Sequence, residues 1–203
     1  MTEQEGYIKF TLDWQETDPL IPVEAFVKLN AWREILYNLD MIGADSQGIG
    51  FGNISVRDPG SPRFYITGSA TGKERILGEE HYCLVTGFDL ERNALSGEGP
   101  VKPSAESMSH AVIYAIDPGT NAVIHIHHKL FWEKLLYQVP TTPETAEYGT
   151  PEMAEEIKIL LANPDNFAKR VVVMAGHPDG IIFFGKDLDE AGAYTLSYFN
   201  EVL

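Results

Sequence analysis

The chain has 203 residues, 44% of them hydrophobic, enough to bury one sizeable core. Its 30 acidic residues against 15 basic ones give a formal net charge of -15, which repels phosphate backbones and anionic lipid and argues against nucleic-acid and membrane partners. No apolar run approaches the ~18 residues that a membrane-spanning helix needs, the opening MTEQEGYIKF lacks the basic start and apolar middle of a secretory leader, and the single cysteine, Cys83, rules out an intrachain disulfide and fits a cytoplasmic setting.

Residues 1–22 are polar, carry Pro19 and Pro22, and read as an N-terminal arm to a domain spanning 23–203. In residues 22–44, Phe26, Leu29, Trp32, Ile35 and Leu36 recur at three- and four-residue spacing, which predicts an amphipathic helix. The glycine-rich DSQGIGFGNIS breaks it. NISVR and RFYIT predict two strands joined by the DPGSP turn. HYCLVTGFD predicts a third, with Cys83 as a buried strand thiol. Pro103 and Ser104 suit the start of a helix running through MSHAVIYAID. NAVIHIHH is a strand. TPEMAEEIKILLAN is a helix with Met153, Ile157, Leu160 and Leu161 on one face. RVVVMAG and GIIFFG are strands flanking HPD, and DLDEAGAYTLSYFNEVL is a closing helix capped by Asp187 or Asp189. Helices alternating with strands, without repeats, predict an α/β fold with a sheet covered on both faces.

The end of NAVIHIHH is the first chemical signal, because a buried strand rarely spends its last positions on imidazoles. Alternate strand residues share a face, so His125 and His127 point the same way with Ile126 opposed. Two imidazoles so placed can share one ion, each at about 2.0–2.1 Å if it is zinc. His128 falls on the other face or beyond the strand, and reads as a solvent residue before a substrate contact. A third ligand would come from His177 in AGHPDG, from His81, or from His110, which shares a helix face with Glu106. Glycine-rich GIGFGNISVR and ITGSATGKE read either as tight turns or as backbone cradles for an anion; the first lacks the lysine and hydroxyl of a P-loop.

GNIS, ITGSATG, KPSAES, VIHIHH, YGTPEMAEEI and VVVMAGHPDGIIFFG occur in the order found in the class II aldolase/adducin family, which the chain resembles from its first helix to its last residue. The resemblance implies a three-layer α/β/α sandwich with a central mixed, largely antiparallel sheet, assembled as a homotetramer. It implies a divalent metal on His125, His127 and His177, most often zinc, with manganese, iron or cobalt as alternatives. It implies Glu106 as the catalytic acid/base, and Gly52, Asn53, Ser69 and Ser104 around the substrate phosphate. The implied activity is an aldolase or lyase working on a small, phosphorylated, sugar-like ketose through a metal-stabilised enediolate. Related ketose-phosphate 4-epimerisation or dehydration, and a non-catalytic adducin-head-like scaffold, are the alternatives. Without the resemblance, Glu106 reads as a first-turn acid favoured by the helix dipole. Ala105 stands where the aldolase pattern has a second serine, with Lys73 or Thr71 as compensating groups. HPDG carries two residues between histidine and glycine. The sequence ends at Leu203, after the closing helix, where the family's aldolases continue into a tail bearing a catalytic tyrosine.

Overall fold

Alternation along one strand organises the molecule. In a computed structural model, which describes residues 7–202, Ala122–His127 becomes an inner strand of a nine-stranded sheet. Ala122, Ile124 and Ile126 point into one apolar layer and Val123 into the other.

In chain order the strands are β1 (Thr11–Glu16), β2 (Gly43–Ala44), β3 (Gly50–Phe51), β4 (Asn53–Arg57), β5 (Phe64–Thr67), β6 (Tyr82–Asp89), β7 (Ala94–Gly99), β8 (Ala122–His127), β9 (Thr141–Thr142), β10 (Val171–Met174) and β11 (Gly180–Gly185). The helices are α1 (Val23–Asn38), α2 (Ser107–Ile116), α3 (Lys129–Leu135), α4 (Pro151–Leu161), α5 (Pro164–Ala168) and α6 (Leu188–Val202). The large sheet has the order β1-β7-β6-β5-β4-β8-β11-β10-β9, and β2 pairs with β3 in a separate ribbon. Every pairing in the large sheet is antiparallel except β1 with β7 and β9 with β10.

Two cores cover the two faces. Helices α2 and α4 bring Met108, Val112, Met153 and Ile157 against Val123, Val172 and Ile182. Helices α1, α3 and α6 bring Leu29, Leu36, Phe131 and Leu188 against Ile124, Ile126, Val173 and Phe183. The expected α/β/α sandwich with a mixed, mainly antiparallel sheet is therefore the observed fold. No helix among the described residues is long and apolar enough to cross a membrane.

The structure departs locally from the sequence reading. The first helix stops at Asn38 instead of continuing to Ala44, because Asp40 turns left-handed (φ 56°) and the Met41 amide returns to the Leu36 carbonyl. The helix expected from Pro103 begins at Ser107, since Pro103 is held extended in a bridge to Gly68. Residues 11–16, inside the stretch read as an irregular arm, form edge strand β1 on β7. Both escape pattern reading: β1 alternates only between exposed and half-buried positions, and β7 is ALSGEG, whose glycines carry little strand preference. At the closing helix, the Asp187 carboxylate accepts from the Glu190 amide at 2.8 Å, so Asp187 is the cap.

Ile124 is fully buried on β8 between β4 and β11. Ile124→Ala is expected to cost about 2–5 kcal/mol, read from urea unfolding of the metal-free protein. A loss under about 1 kcal/mol would mean that this strand is not the packed centre of the sheet.

Candidate metal and proton-transfer site

His125 and His127 follow Val123 onto the α2–α4 side of the sheet. β11 runs antiparallel beside them, with Ile182 opposite His125 and Gly180 opposite His127. The HPDG insertion is absorbed by a tight turn. The Met174 carbonyl accepts from the His177 amide, the His177 carbonyl accepts from the Gly180 amide, and Asp179 takes a φ of 70°. That turn returns the His177 ring over the strand pair. A methyl group on Gly180 would lie 2.3 Å from His177 Cδ2 and 3.2 Å from His125 Cε1. Glycine is thus required for the rings to converge.

His127 Nε2 lies 3.0 Å from His125 Nε2 and 2.7 Å from His177 Nε2. The ligand atoms of all three residues fall within 4.8 Å of one another. Imidazole nitrogens this close share a proton or a metal ion. The His125 Nδ1–H donates to the Ile181 carbonyl at 3.3 Å, which leaves the Nε2 lone pair facing the cluster. Burial holds His127 and His177 well below the usual imidazole range and brings His125 down to about 4. The donors are therefore neutral and convergent, as a divalent cation requires. His125, His127 and His177 fit such an ion, and they are the three residues selected from the sequence.

Glu106 directly precedes the first residue of α2, makes no capping hydrogen bond with its side chain, and is 2% exposed. Its Oε2 accepts from the Ser109 hydroxyl at 2.9 Å, while Oε1 has no hydrogen-bond partner among the described residues. Burial, opposed by that hydrogen bond and by the charge of Lys9, raises its carboxyl from 4.5 to about 7. Gly52, Asn53, Ser69, Ser104, Ala105 and Glu106 line one cavity of about 20 Å³. Gly52 turns there with a φ of 77°, and a methyl group on it would meet Ile42 Cγ1 at 2.7 Å. Buried Arg33 of α1 donates to the carbonyls of Thr71, Gly72 and Arg75 and so fixes the loop that carries Ser69. Asn53 lies directly across the strands from His125, and Phe51 stacks on His127 at 5.4 Å, which joins this cavity to the imidazoles.

The other sequence candidates have different work. His110 hydrogen-bonds Ser55 in the core at 2.7 Å, and Ser55 also meets Tyr114. The His81 ring accepts from the Gly78 amide at 3.0 Å. His128 Nδ1 caps α3 by accepting from the Phe131 amide at 3.1 Å. The Thr71 hydroxyl is committed to the Gly68 carbonyl, and the Lys73 side chain is 55% exposed beside Glu74, so neither compensates for Ala105 inside the cavity. Cys83 is buried and its thiol is pushed up to about 12, in keeping with an inert strand residue.

His127 and His177 open onto a much larger cleft of about 920 Å³, to which Lys9, Phe51, Glu147 and Tyr148 also contribute. The Tyr148 ring packs 4.5 Å from that of His177. Sequence reasoning passed over Lys9, which lies 168 positions before His177 in a polar lead-in with no motif around it.

The comparisons with known proteins agree with this architecture. A model of the class II aldolase and adducin N-terminal domain matches residues 37–200. A solved L-fuculose 1-phosphate aldolase is similar at a TM-score of 0.67 and 21% identity, over 92% of this chain and 86% of that one. A sugar-phosphate aldolase from Thermotoga maritima is similar at a TM-score of 0.67 and 17% identity, over 86% of this chain and 90% of that one. An L-fuculose 1-phosphate aldolase from Glaciozyma antarctica is similar at a TM-score of 0.60 and 17% identity, over 89% and 73% respectively. At these identities the likeness carries the fold. No curated protein sequence matches the chain.

Gly180→Ala is expected to weaken zinc binding by about 10–100-fold with the fold retained, measured by competition with a chromogenic chelator. Unchanged affinity would mean that the three imidazoles do not bind as a unit. A second expectation concerns metal-free stability. Folded Glu106 keeps its proton up to about pH 7, whereas its ordinary value is 4.5. The folded state therefore binds the extra proton between those values, and stability falls as pH rises through that window, by about 3 kcal/mol at most. The melting temperature of metal-free Glu106→Gln should exceed that of the parent at pH 8, with the gap closing toward pH 4. A gap independent of pH would show that the carboxyl is not held out of water.

Proposed function

Because the chain belongs to the class II aldolase and adducin N-terminal domain family, we propose that it is a metal-dependent aldolase or lyase that forms or cleaves a carbon–carbon bond in a small sugar-like ketose. One observation carries the reading. Three convergent, neutral imidazoles adjoin, through Phe51 and Asn53, the cavity lined by a buried carboxyl poised near neutrality.

When bound, a divalent ion, zinc first and manganese, iron or cobalt as alternatives, supplies Lewis acidity toward two adjacent substrate oxygens and so lowers the cost of enediolate charge. His125, His127 and His177 hold that ion through neutral nitrogens, leaving its full charge available. Glu106 moves the proton on or off the carbon beside the carbonyl; a carboxyl near 7 both accepts and returns it at neutral pH. Its Ser109 hydrogen bond holds one oxygen and leaves the other to act. Gly52, Asn53, Ser69 and Ser104 contact the oxygen-bearing end of the substrate in the small cavity they line. In the same reading the chain is a cytoplasmic homotetramer, and strand β1 joins the sheet of the catalytic domain built by residues 23–203.

Ketose-phosphate 4-epimerisation or dehydration by the same groups is the second reading. It is favoured by Ala105, which lines the cavity where the aldolase pattern places another hydroxyl. An adducin-head-like scaffold role has no use for three converging imidazoles.

Metal analysis of the purified protein and deuterium exchange into dihydroxyacetone phosphate and dihydroxyacetone test the proposal together. One divalent ion per chain and exchange at the hydroxymethyl carbon are expected. His127→Ala should lose the metal. Glu106→Gln should keep it and exchange about 10²–10⁴-fold more slowly. A protein that takes up no divalent ion when supplied with one would end the enzymatic reading.

A further inference from the structure

A buried hydrogen-bond chain that the reaction outlined above does not use leads toward the start of α2. The Ser55 hydroxyl of β4 lies 2.7 Å from the Tyr114 hydroxyl and 2.7 Å from His110 Nδ1. All three side chains are buried, and His110 and Tyr114 both belong to α2. Among the described residues, Ser55 is the one hydrogen-bond partner of the Tyr114 hydroxyl. If Tyr114 donates to Ser55, the Ser55 proton goes to His110 Nδ1. The reverse polarity leaves two groups unmet, the Tyr114 proton and the Nε2 lone pair, and an unmet buried donor is costly. Burial keeps the His110 ring neutral, so a ring that accepts at Nδ1 carries its hydrogen on Nε2. That Nε2 has no hydrogen-bond partner among the described residues.

Two buried acceptors are in the same condition, Glu106 Oε1 and Asn53 Oδ1. The His110 amide donates to the Glu106 carbonyl at 3.2 Å, so the two residues stand one helical turn apart, with their side chains on one face. Side chains on a helix lean toward its N-terminus, the end at which Glu106 sits. Asn53 lies two residues before Ser55, on the same face of β4. Of the two acceptors, an ionised carboxyl forms the stronger hydrogen bond and is the costlier to leave unmet. The Ser109 hydroxyl serves only its other oxygen, Oε2. Lys9, ahead of β1, and His125 of β8 act on Glu106 and His110 from other elements, and both stay in place in the variants below.

We propose that His110 is a positioning residue for proton transfer: its Nε2–H, held in that tautomer by Tyr114 and Ser55, donates to Glu106 Oε1 in the ionised state and steadies the carboxylate between taking up and returning a proton. A carboxylate oxygen accepts more than one hydrogen bond, so this donor leaves room for the proton in transit. The proposal rests on Glu106 being the proton carrier of the enolising site described above.

The metal-free full chain, carrying ¹⁵N-histidine and ¹³C-carboxyl glutamate, is followed by NMR from about pH 5 to pH 9, with Glu106→Gln assigning the Glu106 signal. The parent should show His110 protonated at Nε2 and bare at Nδ1, and the Nε2–H proton should shift with the same midpoint as the Glu106 carboxyl. His110→Asn and His110→Gln both keep an amide oxygen for Ser55, but only the longer glutamine carries an N–H out to the Nε2 position. In His110→Asn the Glu106 carboxyl should ionise about one to two pH units higher than in the parent, and in His110→Gln within about half a unit of it. A parent proton on Nδ1, an Nε2–H signal that stays still while Glu106 ionises, or an equal response of the carboxyl to both variants overturns the proposal. The first two are read without any substitution, so the idea is decided even where a variant fails to fold. Deuterium exchange into dihydroxyacetone by the metal-loaded parent separates the two ideas. Exchange alongside a carboxyl that ignores His110→Asn overturns this proposal alone. A carboxyl that responds to His110→Asn, without exchange, supports the pairing and overturns the enolising reading.

Discussion

Three imidazoles whose ligand nitrogens fall within 4.8 Å of one another, with His127 Nε2 3.0 Å from His125 and 2.7 Å from His177, are the constraint on which the rest of the structure turns. Such an arrangement tolerates little positive charge on the rings, so burial must keep them neutral. It also needs a backbone stiff enough to hold the nitrogens together. β8 supplies two of them at alternate positions, and β11 on one flank and β4 on the other fix that strand by antiparallel pairing. The third arrives from the turn entering β11, so the register between Gly180 and His127 sets the geometry directly. A one-residue slip would move both strand histidines to the opposite face, where Ile124 and Ile126 now pack. The apolar layers on both faces thus specify the site as well as stabilise the fold.

The same desolvation acts in opposite directions on the two kinds of group. It drives the imidazoles down and keeps them unprotonated, and it drives the Glu106 carboxyl up toward neutrality. Pairs of titratable groups pushed apart in this way take up different protonation states at one pH without special residues. Two influences moderate Glu106: the Ser109 hydroxyl and the charge of Lys9. Both favour the carboxylate, so the group remains able to release its proton at physiological pH.

The central strand and its paired histidines were legible because they obey a short-range rule. Period-two alternation in NAVIHIHH assigns His125 and His127 to one side from the sequence alone. His177 was legible only as one option among three, since the chain cannot announce that Met174–Gly180 will fold back on itself. His81 and His110 carry the same side chain and serve a local turn and a core hydrogen bond instead. Strand β1, strand β7 and the position of Lys9 were not legible. β1 needs β7 as a partner and buries none of its own residues fully, and β7 reads ALSGEG, whose small and polar residues carry no apolar alternation. The closeness of Lys9 to Tyr148 follows from that pairing, a long-range consequence with no local signature.

Charge at the cleft differs from charge over the whole surface, and the difference bears on what enters. The cleft is lined by Asp40, Asp45, Glu147 and Asp179 against Lys9 and Lys129, on a chain whose net charge is -15. Such a field concentrates cations at the opening and opposes polyanions, which suits loading of a divalent ion onto the imidazoles behind it. Lys9 is set deeper, under the Tyr148 ring, where its charge is less exposed to the acidic field and to salt. The acidic lining and the sheltered Lys9 therefore act on charge in opposite senses within one cleft.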